Sequence, residues 1–238
     1  MLTTTRAIVL SATKYQDHHL IVKCYTETHG VKSYFLHHAY TSKSAKRKLA
    51  YYQPLSLLEL VAQHKNNGQL STVKEVKLAP GGQLFITDIH KTTIALFLSE
   101  IFHHALKEEM HNEDLFVFLS TALEYFNHRE HAVNFHLILL LQLTRYLGFY
   151  PSEPLTNWCY FNPIEGAFET QPSTHTFTDS QTKLWLRLLD LRLDSTDLAF
   201  SANERQELLR LLLHYYACHL DGFTTPNSLA IFREIFAD

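Results

Sequence analysis

The feature that most constrains this chain is a change of hydrophobic period near residue 80. Before that point apolar and polar residues alternate, as they do in a strand whose successive side chains face opposite sides of a sheet. After it apolar residues recur every third or fourth position, as on one face of a helix. Pro80-Gly81-Gly82 sits at the change and marks a boundary. Strands in one block and helices in the next predict two kinds of layer built separately, not an alternating α/β sheet.

The first block reads as five strands. Thr5-Arg6-Ala7-Ile8-Val9-Leu10 opens it, and His19-Leu20-Ile21-Val22-Lys23-Cys24-Tyr25-Thr26 follows. Thr28-His29-Gly30 turns the chain into Val31-Lys32-Ser33-Tyr34-Phe35-Leu36. A long polar, basic stretch separates these from Pro54-Leu55-Ser56-Leu57-Leu58-Glu59-Leu60-Val61. Asn66-Asn67-Gly68 then turns into Ser71-Thr72-Val73-Lys74-Glu75-Val76-Lys77. Five short strands is the count of a small Greek-key barrel, either an OB-fold or an SH3-like barrel. The long connection between the third and fourth strands favours the OB-fold. The expected fold is therefore an all-β OB barrel over residues 1–80 and an all-α region over 81–238.

In the second block Ile94, Phe97, Leu98, Ile101 and Ala105 share one helical face. Asn112 is placed to cap a helix over 115–126, with Glu113 and Asp114 in its first turn. A further helix over 132–147 ends at Gly148, with Pro151 beyond it. Residues 150–180 carry Pro151, Pro154, Pro163 and Pro172 with no sustained period and read as an irregular insert. Helices over 181–194, 203–219 and 226–236 close the chain, with Ser201 and Asn203 as candidate caps for the second.

The net charge of −3 conceals a strong asymmetry. Residues 1–80 hold eleven Lys/Arg against four Asp/Glu, a balance of +7, which leaves −10 for the remainder. Such a split points to a polyanion-binding module on an acidic body. The bland alternative is that the two parts attract one another. With 46% hydrophobic residues and only 19% charged, the chain has material for an ordered core. Cys24, Cys159 and Cys218 are too few and too scattered for a disulfide framework, which fits a reducing compartment. The start lacks an apolar signal block, and the longest purely apolar run, 137–141, is too short to span a bilayer. The expectation is a soluble, cytoplasmic protein.

Catalytic and cofactor patterns are missing from the sequence. There is no G-x-G-x-x-G, no phosphate loop, no G-x-S-x-G elbow and no H-E-x-x-H. Two E-x-x-H runs, Glu100 to His103 and Glu108 to His111, spell a di-iron carboxylate motif, but a di-iron site needs them on different helices. Both are expected on one helix, with His103 on its solvated side. The pairs His18-His19, His37-His38 and His103-His104 lack the i, i+4 spacing that converges on a metal. Cys159 has no second cysteine near it in sequence, and zinc needs about four ligands. No catalytic residue, metal or cofactor is expected. A metal-dependent oxidase built on the Glu/His helix is the disfavoured reading.

The positive signal is basic. Lys43, Lys46, Arg47 and Lys48 place four cations in six residues between the third and fourth strands. Arg6, Lys14, Lys23, Lys32, Lys65, Lys74 and Lys77 add to them, interleaved with Tyr15, Tyr25, Tyr34, Tyr40, Tyr51, Tyr52 and Phe35. Cations tracking a groove beside stackable rings is how sequence-tolerant single-strand binding is built. The bland alternative is that the lysines merely solubilise, and each tyrosine taken alone reads as barrel core. Lys43 to Lys48 is read as a phosphate-contacting loop, and Tyr34 is the one tyrosine set with the cations as a contact. A protein adaptor whose basic barrel docks an acidic partner is the competing reading.

Several segments, in order, are similar to the RecO family of bacterial recombination mediators. They are Arg6-Ala7-Ile8-Val9-Leu10, Tyr25-Thr26-Glu27-Thr28-His29-Gly30, Ser42-Lys43-Ser44 and Gln53-Pro54-Leu55-Ser56-Leu57-Leu58-Glu59-Leu60. In the helical part they are Leu98-Ser99-Glu100-Ile101, Asn112-Glu113-Asp114-Leu115-Phe116-Val117-Phe118-Leu119 and Leu147-Gly148-Phe149-Tyr150-Pro151. The resemblance implies an OB-fold that binds single- and double-stranded DNA, strand annealing, and loading of the recombinase onto DNA coated by single-strand-binding protein. It implies RecR and the acidic tail of single-strand-binding protein as partners, no membrane, and a place at the nucleoid. Many relatives carry a four-cysteine zinc site after the Gly-Phe-Tyr-Pro position, where this chain keeps only Cys159. Many also have an Arg/Gly-rich stretch where this chain has Leu36-His37-His38-Ala39-Tyr40. The tail site is not carried over by motif; its chemistry calls for a cation beside an apolar groove, and Arg129 and Arg145 are the candidates in the middle helices.

Overall fold

The computed structural model describes residues 2–64, 70–82, 88–107, 111–130, 132–154, 159–194 and 199–236. The N-terminal block forms β1 (Leu2–Tyr15), β2 (His19–Thr26), β3 (Gly30–Leu36), β4 (Leu57–Gln63) and β5 (Ser71–Leu78). They close in the order β1-β2-β3-β5-β4, a five-stranded OB-like barrel. Neighbours are antiparallel except β3 and β5, which meet in parallel over only Tyr34–Ser71 and Phe35–Thr72. Ala7, Val9, Val22, Cys24, Tyr34, Leu58, Leu60 and Ala62 fill the interior. The expected alternation is thus realised, because a one-residue slip would turn this whole set to solvent. The turn expected at Asn66-Asn67-Gly68 lies outside the described residues.

The connection from β3 to β4 is not a loop. It forms helix α1 (Lys43–Leu49), which runs into a short 3-10 turn over Ala50–Tyr52. Ser42 caps α1 by accepting from the Ala45 N–H, and Lys46, Arg47 and Lys48 occupy its last turn, where the helix dipole favours cations. The reading of residues 43–48 as a loop is corrected on this point. An absent hydrophobic stripe hid a helix that presents almost only charge.

The helices are α2 (Ile89–Ala105), α3 (Glu113–His128), α4 (Phe135–Leu147), α5 (Asp179–Leu189), α6 (Ala202–His219) and α7 (Leu229–Ile235). Asp88 and Asn112 cap α2 and α3, Ser201 caps α6 through a capping box, and Gly148 ends α4 at φ 84°. The insert also holds a two-stranded hairpin, β6 (Tyr160–Asn162) with β7 (Ala167–Glu169). Three-residue strands are too short to show a period, so this hairpin is invisible to pattern reading.

The chain divides into two compact units, Met1–Arg129 with Pro226–Phe232, and Glu130–Thr225 with Arg233–Asp238. In the first, α2 and α3 pack on the barrel: the Tyr25 hydroxyl donates to the Asn112 carbonyl at 3.0 Å, and its ring lies 6.0 Å from Phe116. Gly82 leaves the barrel where a Cβ would come within 2.5 Å of the Leu57 carbonyl, so the chain exit requires glycine. In the second, Phe161 is ringed by Phe168, Phe177, Trp185 and Tyr215 at 5.0–5.5 Å. The Tyr216 hydroxyl donates to the Leu140 carbonyl at 2.8 Å and ties α6 to α4.

A candidate nucleic-acid interface on the barrel

Antiparallel pairing of β2 with β3 brings the start of one strand to the end of the other. His19 therefore meets Phe35, His37 and His38, with ring centroids 5.0, 5.6 and 5.5 Å away. Tyr15, 45% exposed at the end of β1, packs edge-on against Phe35 at 5.8 Å. The result is an outward-facing ring platform across β1, β2 and β3. Shielding by its surroundings, and then the neighbouring His38, His37 and His18, lowers the pKa of His19, which favours a neutral ring there. Both turns beside the platform hold a non-glycine residue in the left-handed region, Gln16 at φ 52° and His38 at φ 53°. Such conformations cost on the order of 1 kcal/mol and concentrate at functional surfaces.

The cations named from sequence separate into groups. Lys43, Lys46, Arg47 and Lys48 are all exposed on α1. Lys74 is exposed on β5, at a bulge where Val61 opposes Glu75 but Ala62 opposes Val73, so Lys74 is the extra residue. A bulge of this kind re-aims a side chain. Lys14 reaches over the Tyr40 ring at 5.7 Å. Among the described residues none of these six makes an ion pair.

The other residues are placed elsewhere, Lys77 in an ion pair with Glu59 at 2.7 Å. Arg6 is committed: its guanidinium binds Glu27 through two hydrogen bonds of 3.0 and 2.6 Å and lies 5.3 Å from the Phe116 ring. That pairing raises the pKa of Arg6 and lowers that of Glu27. Lys23 is half-buried on the strand face turned towards α2, where its charge acts on His103. Lys32 acts instead on His29 and His64. Tyr34 is fully buried in the barrel, its hydroxyl 2.8 Å from His64 Nε2. Its reading as a base-contacting ring is corrected, because a buried ring has no free face to stack on. Lys65 lies outside the described residues.

The platform itself was missed from sequence. Metal-ligand spacing in the histidine pairs does not disclose it. The available signal was that His18-His19 and His37-His38 flank the two ends of one predicted hairpin. Among the described residues no cluster of His, Cys, Asp or Glu could hold a metal ion. The E-x-x-H pair does not share a helix: α2 ends at Ala105, and His111 precedes the α3 cap. Glu108 and Glu109 lie outside the described residues. His103 is half-buried, with its Nδ1 shielded from solvent, because α2 also buries Phe102 beside it. Cys159 is a free thiol whose pKa burial raises, and among the described residues it is not part of a His/Cys/Asp/Glu group that could supply the four ligands of a zinc site.

Arg129 follows α3 and lies 5.2 Å from the Tyr125 ring. Arg145 is exposed on α4, 3.5 Å from the Tyr150 ring, with its Nε donating to Gln142 at 3.0 Å. Among the described residues no helix is long and apolar enough to cross a membrane.

A five-stranded OB-like barrel with exposed cations and a ring platform, followed by a helical region, defines the architectural class of the protein. Residues 1–81 match the family model for the recombination protein O N terminus, and residues 86–228 match that for its C terminus. A DNA repair protein RecO of Flavobacterium johnsoniae is 48% identical over 98% of both chains, and one of Flavobacterium psychrophilum is 46% identical over 98% of both. A DNA repair protein RecO of Bacteroides fragilis is 33% identical over 99% of this chain and 100% of its own. The chain belongs to the RecO family of DNA repair and recombination proteins.

Proposed function

We propose that this protein is a non-enzymatic mediator of DNA repair and homologous recombination that binds single- and double-stranded DNA through its barrel. The observation that carries the reading is the ring platform of Tyr15, His19, Phe35, His37 and His38 beside cations free of ion pairs. Phosphates engage Lys14, Lys43, Lys46, Arg47, Lys48 and Lys74, and bases stack on the rings. The competing idea, that the barrel's charge serves to hold its own acidic helices, is weakened in the first unit. No ion pair among the described residues joins a Lys or Arg of the barrel to an acidic group of α2 or α3, and the attraction Glu124 of α3 exerts falls on Arg6, which is already bonded to Glu27.

Within the family reading the protein anneals complementary strands and helps load the recombinase onto DNA coated by single-strand-binding protein. Its partners are RecR and the acidic tail of that protein, and it works in the cytoplasm at the nucleoid. Arg145, exposed beside an aromatic ring, supplies the chemistry a carboxylate-bearing tail requires, as does Arg129.

Titrating the intact protein with labelled single strand at several salt concentrations tests the barrel assignment. Lys46→Glu with Arg47→Glu is expected to weaken binding uniformly across sequences and to flatten the salt slope by about 0.7 per lost contact. Unchanged affinity in that variant removes α1 from the interface. An acidic protein captured where DNA is not bound at low salt replaces the reading with the adaptor.

A further inference from the structure

Phe35 has two roles in the geometry. It is the centre of the ring platform, and it also lines a cleft of about 380 Å³ where α1 crosses the short β3–β5 seam. The seam is open because β3 and β5 share only two paired positions, and α1 roofs the space beside it. Leu49 and Tyr52 line the cleft, as do Lys48 and Lys74. The cleft is at the small end of the range for ligand sites, roughly 300–1,000 Å³. Its lining is mixed, apolar side chains alternating with polar and charged ones, which suits a ligand that has both a flat ring and a charged backbone.

We infer that this cleft accepts one unstacked base of a single strand, with the flanking phosphates held by Lys48 and Lys74. The inference rests on the nucleic-acid reading of the barrel and goes further by assigning a base subsite. Two features select a base over an acidic peptide side chain. The cleft is continuous with the platform through Phe35 and His37, so a strand stacked on the rings is led into it. Its lining sets Leu49, Tyr52, Val73 and Val76 beside Lys48 and Lys74, which matches a ring attached to a phosphodiester, whereas a carboxylate would leave the apolar side chains without a partner. A base held in a duplex is stacked and paired and cannot enter, so the subsite favours single strands.

The test uses the full chain. Oligothymidylate carrying one 5-iodouracil is cross-linked to the unaltered protein, and the attachment site is mapped by mass spectrometry. In parallel Ala45→Leu, which narrows the cleft from the α1 side, is titrated with oligothymidylate and with duplex. The expected result is cross-linking to Phe35, His37 or Tyr52. Single-strand affinity should fall roughly five- to hundred-fold, the worth of one stacked base, while duplex affinity holds. Circular dichroism establishes that Ala45→Leu folds; if it does not, the cross-link alone decides. Single-strand binding with attachment outside the cleft and no loss in Ala45→Leu overturns the subsite and leaves the barrel reading standing. Failure to bind any nucleic acid overturns both. Displacement of a cleft-bound acidic peptide by Ala45→Leu, with the base cross-linked elsewhere, overturns the subsite in favour of a peptide site.

Discussion

At the scale of the residue, histidine decides more than its count indicates. The sixteen histidines do not behave as one group. On the platform they supply rings; inside the protein they are held neutral. Burial pushes the pKa of His136 down to about 3 and that of His64 to about 4, each with a smaller push from neighbouring positive charge. Unfolded, each takes a proton near pH 6.5. Between that pH and its folded value the unfolded chain binds the proton and the folded chain does not, so stability falls as pH falls. The full contribution is present above about pH 6.5 and is lost progressively towards pH 3–4. His136, only 2% exposed, carries most of the effect, on the order of 1.4 kcal/mol per pH unit over its window, and half-buried His64 less. Thermal melts between pH 7 and pH 4 are expected to show the midpoint falling, and His136→Gln is expected to flatten the slope. A slope unaltered in that variant assigns acid sensitivity to other groups. Tyr34 teaches the same lesson: its place in an alternating strand was readable, but which parity faced inward depended on its partners Val22 and Ser71.

At the scale of the element, what was legible depended on length and amphipathicity. The strands of the barrel and the long helices announced themselves because their buried faces repeat: Ile94, Phe97, Leu98, Ile101 and Ala105 are all buried on α2. α1 did not, since its Lys43, Lys46, Arg47 and Lys48 are all exposed and it has little apolar stripe to show. The β6–β7 hairpin was hidden for the opposite reason, its order coming from partners distant in sequence. The Phe161 N–H donates to Thr182 Oγ1 at 3.2 Å, and its ring stacks on Trp185 at 5.0 Å. This aromatic cluster packs the segment against α5 and α6. Phe161→Ala is expected to cost about 3–5 kcal/mol, as for a large buried ring, and to lower the denaturant midpoint. A loss under about 1 kcal/mol would place the cluster outside the folding core.

At the scale of the whole molecule, the change of period at residue 80 separates two kinds of structure but not two independent cores. The barrel shares its compact unit with α2 and α3. Tyr25 is wholly buried and bonded to Asn112, and Arg6 lies against Phe116, so a chain cut after the barrel would uncover both. A fragment of residues 1–82 is expected to melt well below one of residues 1–129, or to aggregate through the uncovered face. Equal midpoints would show that α2 and α3 add nothing to the barrel. For that reason salt titrations are best made on the intact chain, where the interface is presented on its folded support.

The sequence by itself determined the two periods, the barrel's five strands, the charge asymmetry and the helix caps, because each is written in residues near one another along the chain. Only the tertiary structure decided which basic residues share a surface. Strand pairing across β1, β2 and β3 assembled the ring platform from His19, Phe35, His37 and Tyr15, while ion pairing withdrew Arg6 and burial withdrew Tyr34. Charge can be counted along a chain, but proximity and exposure depend on register, and register is settled only when distant segments pack.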